Sequence, residues 1–189
     1  MTDALTLLKT RRSIPAAFLA EPAPSDADIE TLLTIASRVP DHGKLAPWRF
    51  ILFRGDSRRR AGEKLAQLLA ERDPSLPEAR LEEERNRLAR APLVVGVVSR
   101  AAEHVKIPIW EQQLSAGAAS MSLVIAAHAM GYAACWLTEW PSYDAEAGRI
   151  LGLKEGERFA GLVHIGTPTV PAQDRPRPAL ADIVSAWSD

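Results

Sequence analysis

Arg11-Arg12-Ser13 is the first group of side chains in the chain that could do chemistry. Two guanidiniums and a hydroxyl suit a phosphate, because the arginine fork matches its oxygens and serine adds a donor. The same cations would also complement the negative end of a short helix finishing there. Farther on, Arg38 precedes Pro40-Asp41-His42, and the loop closes on Pro47-Trp48. A polar, proline-framed loop running into a strand can hold a planar ring, or it can simply connect a helix to that strand. Other signatures are missing. No G-x-G-x-x-G or G-x-x-x-x-G-K-[ST] run occurs, so neither a dinucleotide turn nor a phosphate loop is supported. His42, His104, His128 and His164 share no ligand spacing, so no metal site is expected. No G-x-S-x-G elbow exists, and Cys135 sits in an apolar stretch where a buried, inert thiol is expected. No side chain is assigned as a catalytic acid or base.

The 189 residues fit a single domain over 1–189. Lys plus Arg number 23 against 24 Asp plus Glu, a net charge of -1 that removes the broad electrostatic reason for binding nucleic acid or an anionic membrane. One cysteine excludes a disulfide framework and fits a reducing cytoplasm, and no signal peptide is read. Between Glu111 and Glu139 no residue carries a formal charge, a length that could cross a bilayer. Gln112, Gln113, Ser115, Ser120, Ser122 and His128 are spread through it, and Gly131 interrupts it. A charge-free helix followed by a buried strand is therefore expected, and such a helix must be covered on nearly all sides.

The elements that must position these residues follow from periodicity and breakers. Thr2 or Asp3 can cap a first helix that ends near Arg11-Arg12-Ser13. Pro15, Pro22 and Pro24 make residues 14–24 an extended loop. Ser25 with Asp28 forms a capping box before Ile29, Leu32, Leu33 and Ala36. Pro40 and Gly43 break this second helix ahead of a strand at Trp48–Phe53. Helices are expected at Ser57–Arg72 and Glu78–Arg90, and Leu93–Ser99 reads as a central strand buried on both faces. The charge-free helix runs from about Trp110 to Met130. A strand at 132–137, a short helix near Asp144–Leu151 and a strand at 159–166 complete the core, and the proline-rich tail crosses the surface as an extended arm. The result is a mixed α/β sandwich, a sheet of about four strands covered by helices.

In this order, Arg-Arg-Ser, R-x-P-D-H-x-x-x-x-P-W at 38–48, K-x-P-x-W-E-Q-x-x-S-A-G at 106–117, a strand carrying Trp136 and Gly166-Thr167-Pro168 resemble the nitroreductase family, and more closely its short bacterial members. The resemblance runs from Asp3 to Pro168. It implies the fold class α/β (α+β), a three-layer sandwich with a central, mostly antiparallel sheet of about four strands flanked by helices, and an FMN-dependent NAD(P)H oxidoreductase built as a homodimer with two flavins at the subunit interface. It places the FMN phosphate and ribityl chain against Arg11, Arg12 and Ser13, with Arg38 and His42 along the flavin. Trp136, Leu137 and Thr138 would flank the ring, and Arg175 and Arg177 fall where members present a basic residue to the phosphate. The helix end Ala126, Ala127, His128, Ala129, Met130 and Gly131 is assigned to the nicotinamide nucleotide, although the segment has a plain helix-terminus reading too.

The departures are specific. Many members carry a basic residue two positions after the serine, where this chain has Pro15, and close relatives carry an Arg where it has Leu137. Cation support for the reduced flavin would then come from Arg38, Lys44 or Lys106. The resemblance implies hydride transfer from NAD(P)H through flavin N5 to a nitroaromatic, quinone or similar flat acceptor. The alternative is a non-redox protein that binds a phosphoryl ligand or flavin without turnover. Ser115-Ala116-Gly117-Ala118-Ala119-Ser120 offers small side chains for close approach of a second helix, so the helix at 110–130 is the expected dimer contact.

Overall fold

In the computed structural model, which describes residues 3–188, a single side chain sets the first helix. Asp3 accepts from the Leu5 and Thr6 amides at 3.0 and 3.1 Å, starting α1 (Ala4–Thr10). Thr2, the other expected cap, lies outside the described residues. Because α1 stops at Thr10, the Arg11-Arg12-Ser13 triplet leaves it as non-helical chain. The expected loop at 14–24 contains a short strand, β1 (Leu19–Ala20). Its prolines exclude helix but permit extended backbone, and two residues carry no period to read.

The capping box of α2 (Asp26–Ala36) forms as expected, with Ser25 Oγ accepting from the Asp28 amide and Asp28 accepting from the Ser25 amide. β2 (Trp48–Arg54), α3 (Ser57–Arg72) and β3 (Leu93–Ser99) follow the sequence pattern closely. α4 (Glu78–Arg85) is shorter than expected. Asn86 turns its side-chain amide back onto the Glu82 carbonyl and carboxylate at 2.9 and 2.6 Å, and a tighter 3₁₀ turn takes over at Arg87–Arg90. Then come α5 (Ile109–Ala129), β4 (Ala133–Leu137), α6 (Ala145–Ile150) and β5 (Arg158–Pro168). A one-turn helix, α7 (Leu180–Ile183), interrupts the tail that was expected to be extended throughout.

Among the described residues the sheet has five strands, one more than expected, and every pairing is antiparallel. β3 lies between β2 and β5, while β4 and β1 also pair with the long β5. α2 and α5 cover one face, with Leu32, Leu123 and Val124 against Val95, Val97 and Val163. α3 and α6 cover the other, with Leu65, Leu68 and Leu151 against Val94, Val98 and Leu162. These are the three layers. No helix among the described residues is long and apolar enough to cross a membrane.

The strand pair β4–β5 sets Cys135 directly opposite His164, both buried. Burial pushes the Cys135 thiol up to about 11, in line with the inert reading. His164 is fully buried, its Nε2 has no hydrogen-bond partner, and burial followed by the Arg90 charge pulls its pKa down to about 4. Its neutral form is therefore part of the fold. An unfolded histidine takes up its proton near pH 6.5, so stability from this group is complete above that pH and declines as the pH falls toward 4. The full loss should reach about 3 kcal/mol, because each tenfold weakening of proton affinity is worth about 1.4 kcal/mol. Urea unfolding between pH 7.5 and 4.5 should show a steeper acid decline for wild type than for His164→Leu; equal slopes would remove His164 from the acid response.

Candidate functional site

Three polar side chains of α5 each hold one loop of the candidate site. Gln112, buried near the start of the helix, donates to the Ala102 and Ile107 carbonyls at 2.8 and 3.1 Å and accepts from the Ala102 amide at 3.1 Å. This fixes the loop between β3 and α5. Ser115 donates to the Pro40 carbonyl at 2.6 Å and accepts from Trp48 Nε1 at 3.1 Å, fixing the 40–48 loop. His128, near the other end, sets Nδ1 2.8 Å from the Val124 carbonyl and Nε2 2.8 Å from the Arg12 carbonyl.

The 40–48 loop is strained where it is held. Lys44 and Ala46 adopt positive φ (56° and 44°), unusual for residues with a Cβ, and Gly43 stands at 72°. Asp41 accepts from the Leu45 and Ala46 amides at 3.0 and 2.9 Å, closing the turn. A Cβ on Gly43 would fall 2.4 Å from Ile107 Cδ1. His42 reaches Glu111 through Nδ1 at 2.7 Å, whereas Arg38 and Lys44 are exposed and have no ion pair among the described residues.

At the far end of α5 lies a cluster of cations. Arg12 donates from Nε to the Gln173 carbonyl at 3.0 Å and stands 3.6 Å from Asp174. Arg177 approaches the same Asp174 at 4.0 Å. Arg11 is the unusual member. Its Nη1 is buried without a hydrogen-bond partner among the described residues, and its pKa is lowered by burial and then by the charges of Arg12 and Arg177. Three guanidiniums thus converge where one donor has nothing to donate to. Ser13 is exposed, and its amide has no acceptor among the described residues. A phosphate dianion fits this donor set, since it would accept from the orphaned Nη1 and offset the mutual repulsion. Arg175 enters the cluster through its backbone, with its amide on Asp174 and its carbonyl facing Arg177.

The amide of Ile14 donates to the Ala134 carbonyl at 3.4 Å, which lays the Arg-Arg-Ser turn beside β4. Down that strand lie Trp136 and Leu137, then Thr138, whose hydroxyl accepts from Tyr143 at 2.8 Å. The Trp136 indole crosses β5 and donates to the Ala160 carbonyl at 3.0 Å. It lies over Gly161, where a Cβ would stand 1.8 Å from Nε1, so only glycine leaves room for the ring. Trp136 forms one wall of a cavity of about 540 Å³ that also meets Gln113 and Gly117 of α5 and Arg158 of β5. A cavity of about 610 Å³ over α4 is lined by Glu82, Asn86 and Arg87, charges and amides already engaged with one another or their neighbours.

The residues expected at the site therefore fall into two groups within one chain. Arg11, Arg12, Ser13 and Arg177 gather near His128, with Trp136, Leu137 and Thr138 along β4. Arg38 and His42 belong to the loop anchored at Glu111 and Ser115. Those anchors precede His128 by 13 to 17 helical residues, a separation of about 20–25 Å. Of the helix end assigned to the nucleotide, Ala126 and Ala127 are buried in the core and both ring nitrogens of His128 are engaged. Met130 is half-buried, and Ala129 and Gly131 are exposed. Sequence reasoning missed Gln173, Asp174, Gln112 and Gly161. The first two act through a fold-back of the tail across some 160 residues, which no local pattern records, whereas a glycine inside an apolar strand could have flagged Gly161.

Residues 8–167 match the Nitroreductase family. The chain is 36% identical to the "Putative NAD(P)H nitroreductase YdjA" of Escherichia coli strain K12 over 90% of its own length and 91% of that protein's. It is 40% identical to the "Putative NAD(P)H nitroreductase" of Haemophilus influenzae, over 87% and 88% of the two chains. Its fold resembles a nitroreductase-like family protein from Bacillus cereus (TM-score 0.82, 19% identity, 100% and 98% coverage). A nitroreductase with bound FMN from Bacteroides fragilis shares the fold at TM-score 0.71, 18% identity and full coverage of both chains. With the family match spanning most of the chain, and with relatives at this identity, the protein belongs to the nitroreductase family.

Proposed function

We propose that the protein is an FMN-dependent oxidoreductase that takes hydride from NAD(P)H and passes it to a nitroaromatic, quinone or similar flat acceptor, working as a homodimer in the cytoplasm. The observation that carries this reading is the buried, unpartnered Arg11 Nη1 between two further guanidiniums. Family membership, the designations of the curated relatives and the FMN named in a fold neighbour support the same conclusion. Arg11, Arg12, Ser13 and Arg177 would hold the phosphate, and the backbone of Trp136–Thr138 would lie along the ring. Bound FMN supplies the hydride chemistry, which is why the chain needs no acid–base dyad of its own. The protein's part is to position the cofactor and keep cations near it.

The dimer reading rests on α5. Ser115, Ala116, Ala119 and Ser120 of the small-residue run are buried within the same chain, leaving Gly117 and Ala118 toward the outside. With them, Leu114 and Trp110 are exposed (53% and 67%), and Met121 and Ile125 are half-buried. Beyond Glu111 at its start, this stripe is uncharged and has no cover among the described residues. Two copies packed antiparallel along it would bring the Arg38–His42 loop of one protomer toward the Arg11–Ser13 turn of the other, joining the two groups that one chain keeps apart. The tail adds exposed Leu180, Ile183, Val184 and Trp187, apolar surface that a second copy would cover.

The purified protein should be yellow, carry non-covalent FMN, and give parallel double-reciprocal lines for NAD(P)H against a nitroaromatic. A colourless protein that binds no added FMN would defeat the proposal; one that binds FMN without turnover would support the binding-only alternative. Arg11→Ala should weaken FMN binding by about 1.5–3 kcal/mol, the scale of a hydrogen bond to a charged group, while riboflavin affinity stays the same. Fluorescence titration of the apoprotein checks this, and equal losses for both flavins would return Arg11 to a structural role. Ala118→Arg, placed in the middle of the uncharged stripe, should yield monomers that have lost flavin. Sedimentation of wild type as a flavin-loaded monomer at micromolar concentration would overturn the dimer.

A further inference from the structure

We propose that His128 is the positioning residue of the phosphate site, a clamp that orients the Arg12–Ser13 peptide, rather than a contact for the nicotinamide nucleotide. The inference rests on the flavin reading above for the identity of its ligand. Both ring nitrogens face carbonyl oxygens within the protein, Nδ1 that of Val124 and Nε2 that of Arg12, each at 2.8 Å. A neutral ring has one N–H, and the clamp is the form that carries it on Nε2 and donates to Arg12; imidazolium would donate to both carbonyls. The Val124 carbonyl lies one turn back on the same helix. The Arg12 contact reaches 116 residues along the sequence to the turn that carries the phosphate ligands.

That turn has little else to fix it. Arg11 is the last residue tied to α1, through its amide on the Leu7 carbonyl, and Ile14 is the first tied to β4, by a long 3.4 Å bond. Between them, the one main-chain hydrogen bond among the described residues is the Arg12 carbonyl to His128. A trans peptide points its C=O and the following N–H in opposite directions, and the Arg12–Ser13 bond is trans. Holding the Arg12 carbonyl against α5 therefore aims the Ser13 amide outward, away from the helix. There it stands with the exposed Ser13 hydroxyl as a donor pair for an anion. Without the clamp the peptide is free to turn over and present a carbonyl oxygen to the phosphate, replacing attraction with repulsion. The clamp acts on the phosphate end of the cofactor and should not touch the ring.

Titration calorimetry of the apoprotein with FMN, riboflavin and inorganic phosphate separates these roles. His128→Leu should weaken FMN and phosphate at least tenfold and leave riboflavin within twofold. His128→Gln, whose amide reaches about as far as Nε2, should recover most of the loss, and the shorter His128→Asn should not. If His128→Leu fails to fold, the Gln and Asn pair decides the matter by the same comparison. Equal loss of FMN and riboflavin, no loss at all, or identical behaviour of Gln and Asn would overturn the clamp. A wild type that binds phosphate but neither flavin would sink the flavin reading alone, with the clamp then judged on phosphate. A wild type that binds none of the three would overturn both.

Discussion

Beyond Glu111 in its first turn, α5 carries no Asp, Glu, Lys or Arg; a helix of that composition persists only where something other than water covers it, and α5 imposes that condition on the fold around it. Its inner side packs on the sheet and on α2 through Ala116, Ala119, Leu123, Val124 and Ala127. Its polar atoms, taken out of water, must each find a partner or cost free energy. Gln112, Ser115 and His128 meet that demand with main-chain atoms of three different loops. Burying the helix and building the site are thus the same event. The loops sit where they do because the helix's polar groups require acceptors there.

The 40–48 loop shows what that anchoring supports. Left-handed backbone at Lys44 and Ala46 costs on the order of 1 kcal/mol or more per residue and survives only where the surroundings determine it several times over. Here Asp41 takes both amides of the turn, Ser115 holds the Pro40 carbonyl, and Arg100 donates to the Ala46 carbonyl at 2.6 Å. Gly43, pressed against Ile107, permits the approach. The result presents Arg38, His42 and Lys44 on a rigid edge beside the uncovered face of α5.

Much of this architecture was legible because its signals are local. LVVGVVS between Pro92 and Arg100 could only be a buried strand, and the box at Ser25 and Asp28 announced α2. The break at Asn86 was not legible, since helix periodicity continues through it and only the side chain's turn back to Glu82 ends the helix. β1 escaped because its identity comes from β5, not from its own two residues. At the candidate site, the triplet Arg11-Arg12-Ser13 stood out in the sequence, but its surroundings did not. Asp174 and Arg177 arrive through the tail, and His128 looked like a helix terminus because its decisive partner lies far off in sequence.

The charge of that cluster has a further consequence. Arg11, Arg12 and Arg177 bring three positive charges together, and the carboxylate among them is Asp174. Its side chain is 82% exposed, and its contacts to Arg12 and Arg177 are 3.6 and 4.0 Å long. Exposed pairs of that length contribute little, on the order of 0–1 kcal/mol. Asp174 therefore neutralises one charge on paper while leaving the buried Arg11 Nη1 without a hydrogen-bond partner among the described residues. About two positive charges remain, which matches a phosphate dianion. A deeper or tighter acid would have satisfied Arg11 permanently and closed the site to ligands. In the proposed phosphate site, the weakness of the Asp174 contacts would keep the guanidiniums available and tie ligand preference to the loose seating of the tail.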